Sequence, residues 1–296
     1  MKNLFITFLM IFLVSPYSAN AQPDSRGLKR IMESQAGKRW AICIGINNYV
    51  DRKINHLNKA ANDAYGLAEI LENQGDFKAA VFSDLDAGGN EQSYSSTFFP
   101  TKRQIENYLD AIMEFKDIKP NDLVVFSFSG HGISDDKGNG YLLPVDWNSG
   151  DPYGSAIPVS VITSWLQKLG VSKSLMLVDA CREEMSTSRS MDTISRLYEQ
   201  KFDSAHVSAV FYATRQGGFS YEDPDSDYGA FTRFLIESLD GQGDKDQDGL
   251  VTFRELSTYV EDSLGDWALN NGYMQRPYTR ILGEQSGDLA LTVAVS

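Results

Sequence analysis

The sequence predicts an α/β domain built on a mainly parallel sheet. Strand-length apolar runs alternate with helix-period stretches from residue 39 to about 295, which is the pattern of strands with crossover helices. Two of those runs stop abruptly at reactive residues. Asp122 to Gly132 (Asp-Leu-Val-Val-Phe-Ser-Phe-Ser-Gly-His-Gly) ends at His131, and Ser174 to Arg182 (Ser-Leu-Met-Leu-Val-Asp-Ala-Cys-Arg) ends at Cys181. In open α/β sheets, ligands and chemistry collect at the carboxyl ends of the strands. Neighbouring strands ending in this way bring an imidazole and a thiol together, and the imidazole draws the thiol toward its nucleophilic thiolate.

The elements follow in order. Arg39 to Ile46 reads as the first buried strand, closed by Gly45 and the turn residues Asn47 and Asn48. Leu57 to Leu71 carries Ala60, Ala64, Leu67, Ala68 and Leu71 at helical spacing, and Ala79 to Phe82 is a short second strand. After a loop from Gly88 to Pro100, Thr101 with Gln104 makes a capping-box pattern for a helix reaching about Phe115. The strand to Phe128 and His131 is followed by a turn-rich loop at 134–140 and a hairpin arm at Gly140–Pro144. Pro158 opens a helix ending near Gly170, and the strand to Asp179 and Cys181 comes next. Glu183 to Ser204 reads as an exposed connector, Val207 to Thr214 as a strand, Gly229 to Leu239 as a helix and Leu289 to Val295 as an edge strand.

A chain of 296 residues has room for a substantial core. Its net charge of -13 and pI near 4.7 argue against nucleic acid or an anionic membrane as partner, and suit cationic ligands or metal ions. The first 21 residues read as a signal peptide: Lys2, an apolar core from Leu4 to Val14, and Ala19-Asn20-Ala21 before a cut ahead of Gln22. The apolar run is short for a membrane span, and no cysteine follows the cut to take a lipid. The expectation is an exported, soluble mature protein, with residues 22–37 as a leader into the domain. Export permits disulfides, but only Cys43 and Cys181 are present, and a bridge between them would consume the thiol. Cys43, within Trp40-Ala41-Ile42-Cys43-Ile44-Gly45-Ile46, reads as a small buried apolar residue.

Of the three histidines, His56 and His206 read as structural or solvated. His131 stands between Gly130 and Gly132, which allow close backbone approach and offer an amide to a developing oxyanion. Cys181 lies 50 residues downstream, close to the caspase interval. With Ser129-Gly130-His131-Gly132 and Asp179-Ala180-Cys181-Arg182 each closing a strand, the chain resembles the caspase-like cysteine peptidases, the metacaspase-type bacterial branch above all. Ala41 to Asn48 with Tyr49, Asn62-Asp63-Ala64, Tyr141 to Asp146, Ser220-Tyr221-Glu222 and Gly229-Ala230-Phe231-Thr232 agree in order. The resemblance covers roughly residues 38–265.

That resemblance implies a three-layer α/β/α sandwich with a sheet of about six strands. It also implies a dyad, with Cys181 as nucleophile and His131 as proton donor to the leaving amine, and an oxyanion hole from the amides of Gly132 and Cys181. The sequence departs from caspases proper at the cysteine, which Asp179 precedes by two and Glu183 follows by two. In the family the position two before the cysteine lines the primary specificity pocket, where an Asp repels an acidic P1 side chain and attracts Arg or Lys. Asp63 matches the second acidic pocket residue of metacaspases, and Ser129 a neighbouring pocket position. The plainer alternatives are a helix-terminus charge for Asp63 and a strand-end carboxylate capping loop amides for Asp179. In the stretch 57–63 only Lys59 is basic, which argues against a pocket for acidic P1 residues. Arg189, Arg196 and Lys201 in the connector suit self-cleavage by such an enzyme.

One motif lies outside this pattern. Asp244-Lys-Asp246-Gln-Asp248-Gly249-Leu250-Val251-Thr252-Phe-Arg-Glu255 fits an EF-hand loop, with carboxylates at places 1, 3, 5 and 12, glycine at place 6 and the Leu250 carbonyl at place 7. Helical patterns flank it at Phe231–Leu239 and Phe253–Leu264. The expectation is calcium, with no organic cofactor; the alternative is a turn that binds metal weakly, because EF-hands usually come in pairs. Three functions are open: an exported endopeptidase for substrates with a basic P1 residue, a non-enzymatic caspase-like interaction module, and a calcium-dependent binding protein.

Overall fold

The computed structural model describes residues 37–115, 118–180, 183–184, 209–215, 218–281 and 289–294. Apolar side chains at alternate positions of β1 (Arg39–Gly45) face opposite ways, Ile42 and Ile44 into one core and Ala41 and Cys43 into the other. The chain continues through α1 (Ala60–Gly75), β2 (Lys78–Ser83), α2 (Lys102–Phe115) and β3 (Leu123–Gly130). Next come β4 (Gly132–Ser134), β5 (Gly140–Leu142), β6 (Ile157–Pro158), α3 (Val159–Lys168), β7 (Lys173–Ala180), β8 (Glu183–Glu184) and β9 (Ala209–Tyr212). It ends with α4 (Ala230–Glu237), a π-helical turn (Ser238–Gln242), β10 (Leu250–Thr252), α5 (Phe253–Asn270), β11 (Tyr278–Ile281) and β12 (Ala290–Val293).

Six strands form the main sheet in the order β11-β9-β7-β3-β1-β2, all parallel except β11, which runs against β9. Helices cover both faces. Ile105, Leu109 and Ile112 of α2 and Ile162, Trp165 and Leu166 of α3 pack on one face with Val124, Phe126 and Phe128. Leu67 and Leu71 of α1, Phe231 and Leu235 of α4, and Leu256, Val260 and Leu264 of α5 pack on the other with Val125, Leu177 and Phe211. Each such fully buried large side chain contributes roughly 1.5–3 kcal/mol. The expected three-layer α/β/α sandwich with its six-stranded, mainly parallel sheet is therefore what the chain forms. No helix among the described residues is long and apolar enough to cross a membrane.

Three expectations need correction. The Leu289–Val295 run does not edge the main sheet: β12 pairs antiparallel with β10 in a separate two-stranded sheet. The main sheet ends at β2 on one side and at β11 on the other, and the short, half-polar Tyr-Thr-Arg-Ile sequence hides β11. Helix α1 begins at Ala60 rather than Leu57, because the amides of Asn58 and Lys59 donate to Glu222 Oε1 (2.6 and 2.9 Å) instead of entering a helical turn. The connector starts with a strand: Glu183 and Glu184 pair with Ile133 and Ser134 of β4. The rest of it, with Arg189, Arg196 and Lys201, lies outside the described residues, as do residues 1–36 with the expected signal peptide and His206.

Candidate active site

Strand β3 ends at Gly130, and His131 follows directly. Two groups from the loop after β1 hold that histidine. Its backbone N–H donates to the Tyr49 phenol oxygen at 2.8 Å, and the two rings lie 5.2 Å apart. Its Nε2 donates to the Asn55 carbonyl at 2.8 Å. A carbonyl only accepts, so this bond puts the ring proton on Nε2 and the lone pair of the neutral imidazole on Nδ1. Gly130 makes this packing possible: a Cβ there would stand 2.7 Å from the Tyr49 oxygen and 3.0 Å from the Phe128 ring.

The loop is itself fixed. Buried Asp84, just past β2, accepts the amides of Asn47 (2.8 Å) and Asn48 (2.9 Å), and Val50 N–H donates to the Val145 carbonyl. His56 is exposed, as expected. Tyr49 and Asn55 have roles that the sequence reading did not assign. Asn55 acts through its backbone, which leaves no signal in the side chain. Gly132, the expected oxyanion amide, opens β4 opposite Leu142, one residue past the imidazole. Cys181 follows the last residue of β7 in the chain and lies outside the described residues.

Beside His131 the strands present a second constellation. Side chains alternate along a strand, so Ser129 falls on the same face of the sheet as Val125, and Asp179 on the same face as Leu177, toward α1 and α4. The register pairs Ser129 with Asp179 directly. From α1, Asp63 reaches the same place: Ser129 Oγ donates to its Oδ2 at 2.7 Å, and Gly229 N–H to its Oδ1 at 2.8 Å. Asp179 accepts from the hydroxyls of Ser220 (2.5 Å) and Thr232 (3.0 Å). All three expected pocket residues thus come together in one cleft, open to solvent, which His131, Tyr221 and Glu222 also line.

Both aspartates are buried, and burial pushes both carboxyls up; for Asp63, placed well above the usual range, the Asp179 charge adds to the effect. Glu222 raises both further. Asp63 does lie in the first turn of α1, as the plainer reading has it, while Asp179 accepts from the hydroxyls of Ser220 and Thr232; the α4 N-cap amide of Gly229 also donates to Asp63. A helix N-terminus carries only about half a positive charge, which leaves most of the charge of two carboxylates uncompensated. Lys59 does not supply the balance: its Nζ donates to the carbonyls of Asp223 and Ser226. Among the described residues no ion pair involves Asp63 or Asp179.

Ser220, Glu222, Gly229 and Thr232 belong to stretches that carried the resemblance but had no assigned site role. Gln275 had no signal at all. It orders the Ser220–Tyr221 segment, accepting Tyr221 N–H at 3.0 Å and donating to Ser220 Oγ at 3.0 Å. Cys43 is fully buried in the core, and burial pushes its thiol up to about 12, the behaviour of an inert structural cysteine.

The 244–255 loop folds as its sequence requires. Gly249 takes φ +87°, and Asp244 accepts the amides of Asp248 (3.1 Å) and Gly249 (2.9 Å). Carboxylate oxygens of Asp244, Asp246 and Glu255 lie within 4.8 Å of one another, the convergence a hard cation needs. Asp248 stands apart from that group, with its Oδ1 accepting Leu250 N–H at 2.8 Å. Glu255 doubles as the N3 residue of a capping box with Thr252 that starts α5. Leu250 pairs with Val293, so the C-terminal strand takes the place beside the loop.

Comparisons with known proteins agree with this geometry. The family described as caspase domain matches residues 38–281. A paracaspase of Dictyostelium discoideum is 32% identical over 116 residues, 39% of this chain and 26% of that protein. Metacaspase-1 of Meyerozyma guilliermondii is 28% identical over 120 residues, 38% of this chain and 27% of that protein. The chain thus spans about a quarter of the length of these curated relatives. The crystal structure of caspase-1 from Spodoptera frugiperda shares the fold, with a TM-score of 0.56 at 14% identity, covering 85% of this chain and 89% of that one. With the family matching residues 38–281, most of the chain, the chain belongs to the caspase-domain family of cysteine peptidases.

Proposed function

We propose that this chain is a cysteine endopeptidase cutting after Arg or Lys. The observation that carries the reading is the buried Asp63–Asp179 pair, open to a cleft beside His131 and without a cation among the described residues. A P1 guanidinium or ammonium supplies the missing positive charge, and an acidic P1 side chain is repelled.

In this mechanism the Cys181 thiol gives its proton to His131, and the thiolate attacks the scissile carbonyl carbon. The oxyanion accepts from the amides of Gly132 and Cys181. His131, oriented by the Asn55 carbonyl and Tyr49, passes the proton to the leaving amine, and water then hydrolyses the thioester. The 244–255 loop binds calcium through Asp244, Asp246 and Glu255, with Asp248 and the Leu250 carbonyl completing the shell after a turn of the Asp248 side chain. Residues 1–21 direct export, where calcium is abundant.

The test is hydrolysis of fluorogenic peptides with P1 Arg or P1 Asp, with calcium or chelator, alongside the Cys181→Ala variant. Cleavage after Arg that disappears in the variant is expected. Cleavage after Asp overturns the pocket assignment, and silence throughout turns the chain into an interaction module.

A further inference from the structure

Gly229 occupies the N-cap of α4, with φ -60° and ψ 150°. That is extended backbone open to every L-residue, so conformation does not call for glycine here. At an N-cap, Ser, Thr, Asp and Asn are at least as favourable, and this helix has no side-chain cap from its own N-cap residue. What a side chain would meet is the pocket. A Cβ on Gly229 would lie 3.0 Å from Asp63 Oδ2 and 3.3 Å from Asp179 Oδ2, between the two carboxylates. Gly229 itself lines the cleft, and its amide holds Asp63 Oδ1.

We infer that Gly229 is a specificity-determining residue: having no side chain, it keeps open the space between Asp63 and Asp179 that the planar guanidinium of a P1 arginine needs. The inference rests on the reading of this cleft as the pocket for a basic P1 side chain. A guanidinium presents a flat fork that needs room beside both carboxylates, whereas an ammonium is a compact point charge that can sit against either one. A methyl at position 229 therefore removes arginine recognition before lysine recognition.

The experiment measures binding of fluorescent product peptides ending in Arg or Lys to the Cys181→Ala protein, with and without Gly229→Ala. Melting temperatures are recorded for both forms. The parent should bind both peptides, and Gly229→Ala should weaken the Arg peptide by about tenfold or more, the scale of one added methyl in a fitted pocket, while changing the Lys peptide much less. Equal losses for the two peptides, or none, overturn the inference while leaving the pocket reading intact. A parent that binds neither peptide removes the pocket reading and this inference together. If Gly229→Ala does not fold, the unsubstituted pocket is probed with a peptide ending in ω-N-methylarginine. Its extra methyl fills the same space from the ligand side; weaker binding than arginine supports the inference, and equal binding overturns it.

Discussion

Ser129 and Asp179 are register partners on the adjacent parallel strands β3 and β7, and Ser129 spends its hydroxyl on Asp63 from α1 rather than on its neighbour. The carboxyl ends of two central strands and one helix thus deliver two carboxylates and a donor to a single cleft beside His131.

Replacing Asp179 by Asn should raise KM for P1-Arg peptides far more than it lowers kcat. The loss in kcat/KM should be on the order of 2 kcal/mol, because a buried charge partner of the substrate cation is removed. Steady-state kinetics on Arg and Lys substrates check it, and a fall in kcat alone would place Asp179 outside the pocket.

The free pocket should make the protein less stable as pH rises. The Asp63 carboxyl is raised in the folded chain, so below the unfolded value near 4 both states hold the proton and nothing is lost. Above it the unfolded chain ionises first, and stability falls until the folded group has ionised as well. Asp63→Asn should match the parent melting temperature at pH 4 and exceed it at pH 8, since an amide still accepts from Gly229 and can donate to Ser129. Melting curves that stay parallel across that range would contradict this.

Tyr49→Phe removes the acceptor for the His131 amide. We expect kcat to fall by several-fold with KM nearly unchanged, reflecting the loss of one buried hydrogen bond at about 1 kcal/mol. A shifted pH profile of kcat/KM would mark the change as acting through the histidine.

Calcium should raise the melting temperature, and Asp244→Ala should abolish the rise, since Asp244 belongs to the carboxylate group and also holds the loop amides. At a hundredfold excess over Kd the gain is about 2.7 kcal/mol. Calorimetric scans with calcium and with chelator read it directly.

Native alkylation should label one cysteine per chain. Cys43 is fully buried, with its thiol pushed up to about 12, so the adduct should map to Cys181 and be absent from Cys181→Ala. Intact-mass measurement decides.

The local sequence by itself determined the alternating α/β order, the apolar runs that become the parallel sheet, the two strands that stop at His131 and ahead of Cys181, and the spacing of the 244–255 loop. Each of those is written in periodicity or in a contiguous motif, which is why it is legible without neighbours. Only the tertiary structure decided that β11 rather than β12 edges the sheet, since strand partnership depends on which backbone is left unpaired nearby. It also decided the start of α1, set by a carboxylate 163 residues away in the chain, and the roles of the Asn55 carbonyl, Gln275 and the empty side of Gly229. Such roles come from backbone groups and vacant space brought together by folding, and a sequence records side chains.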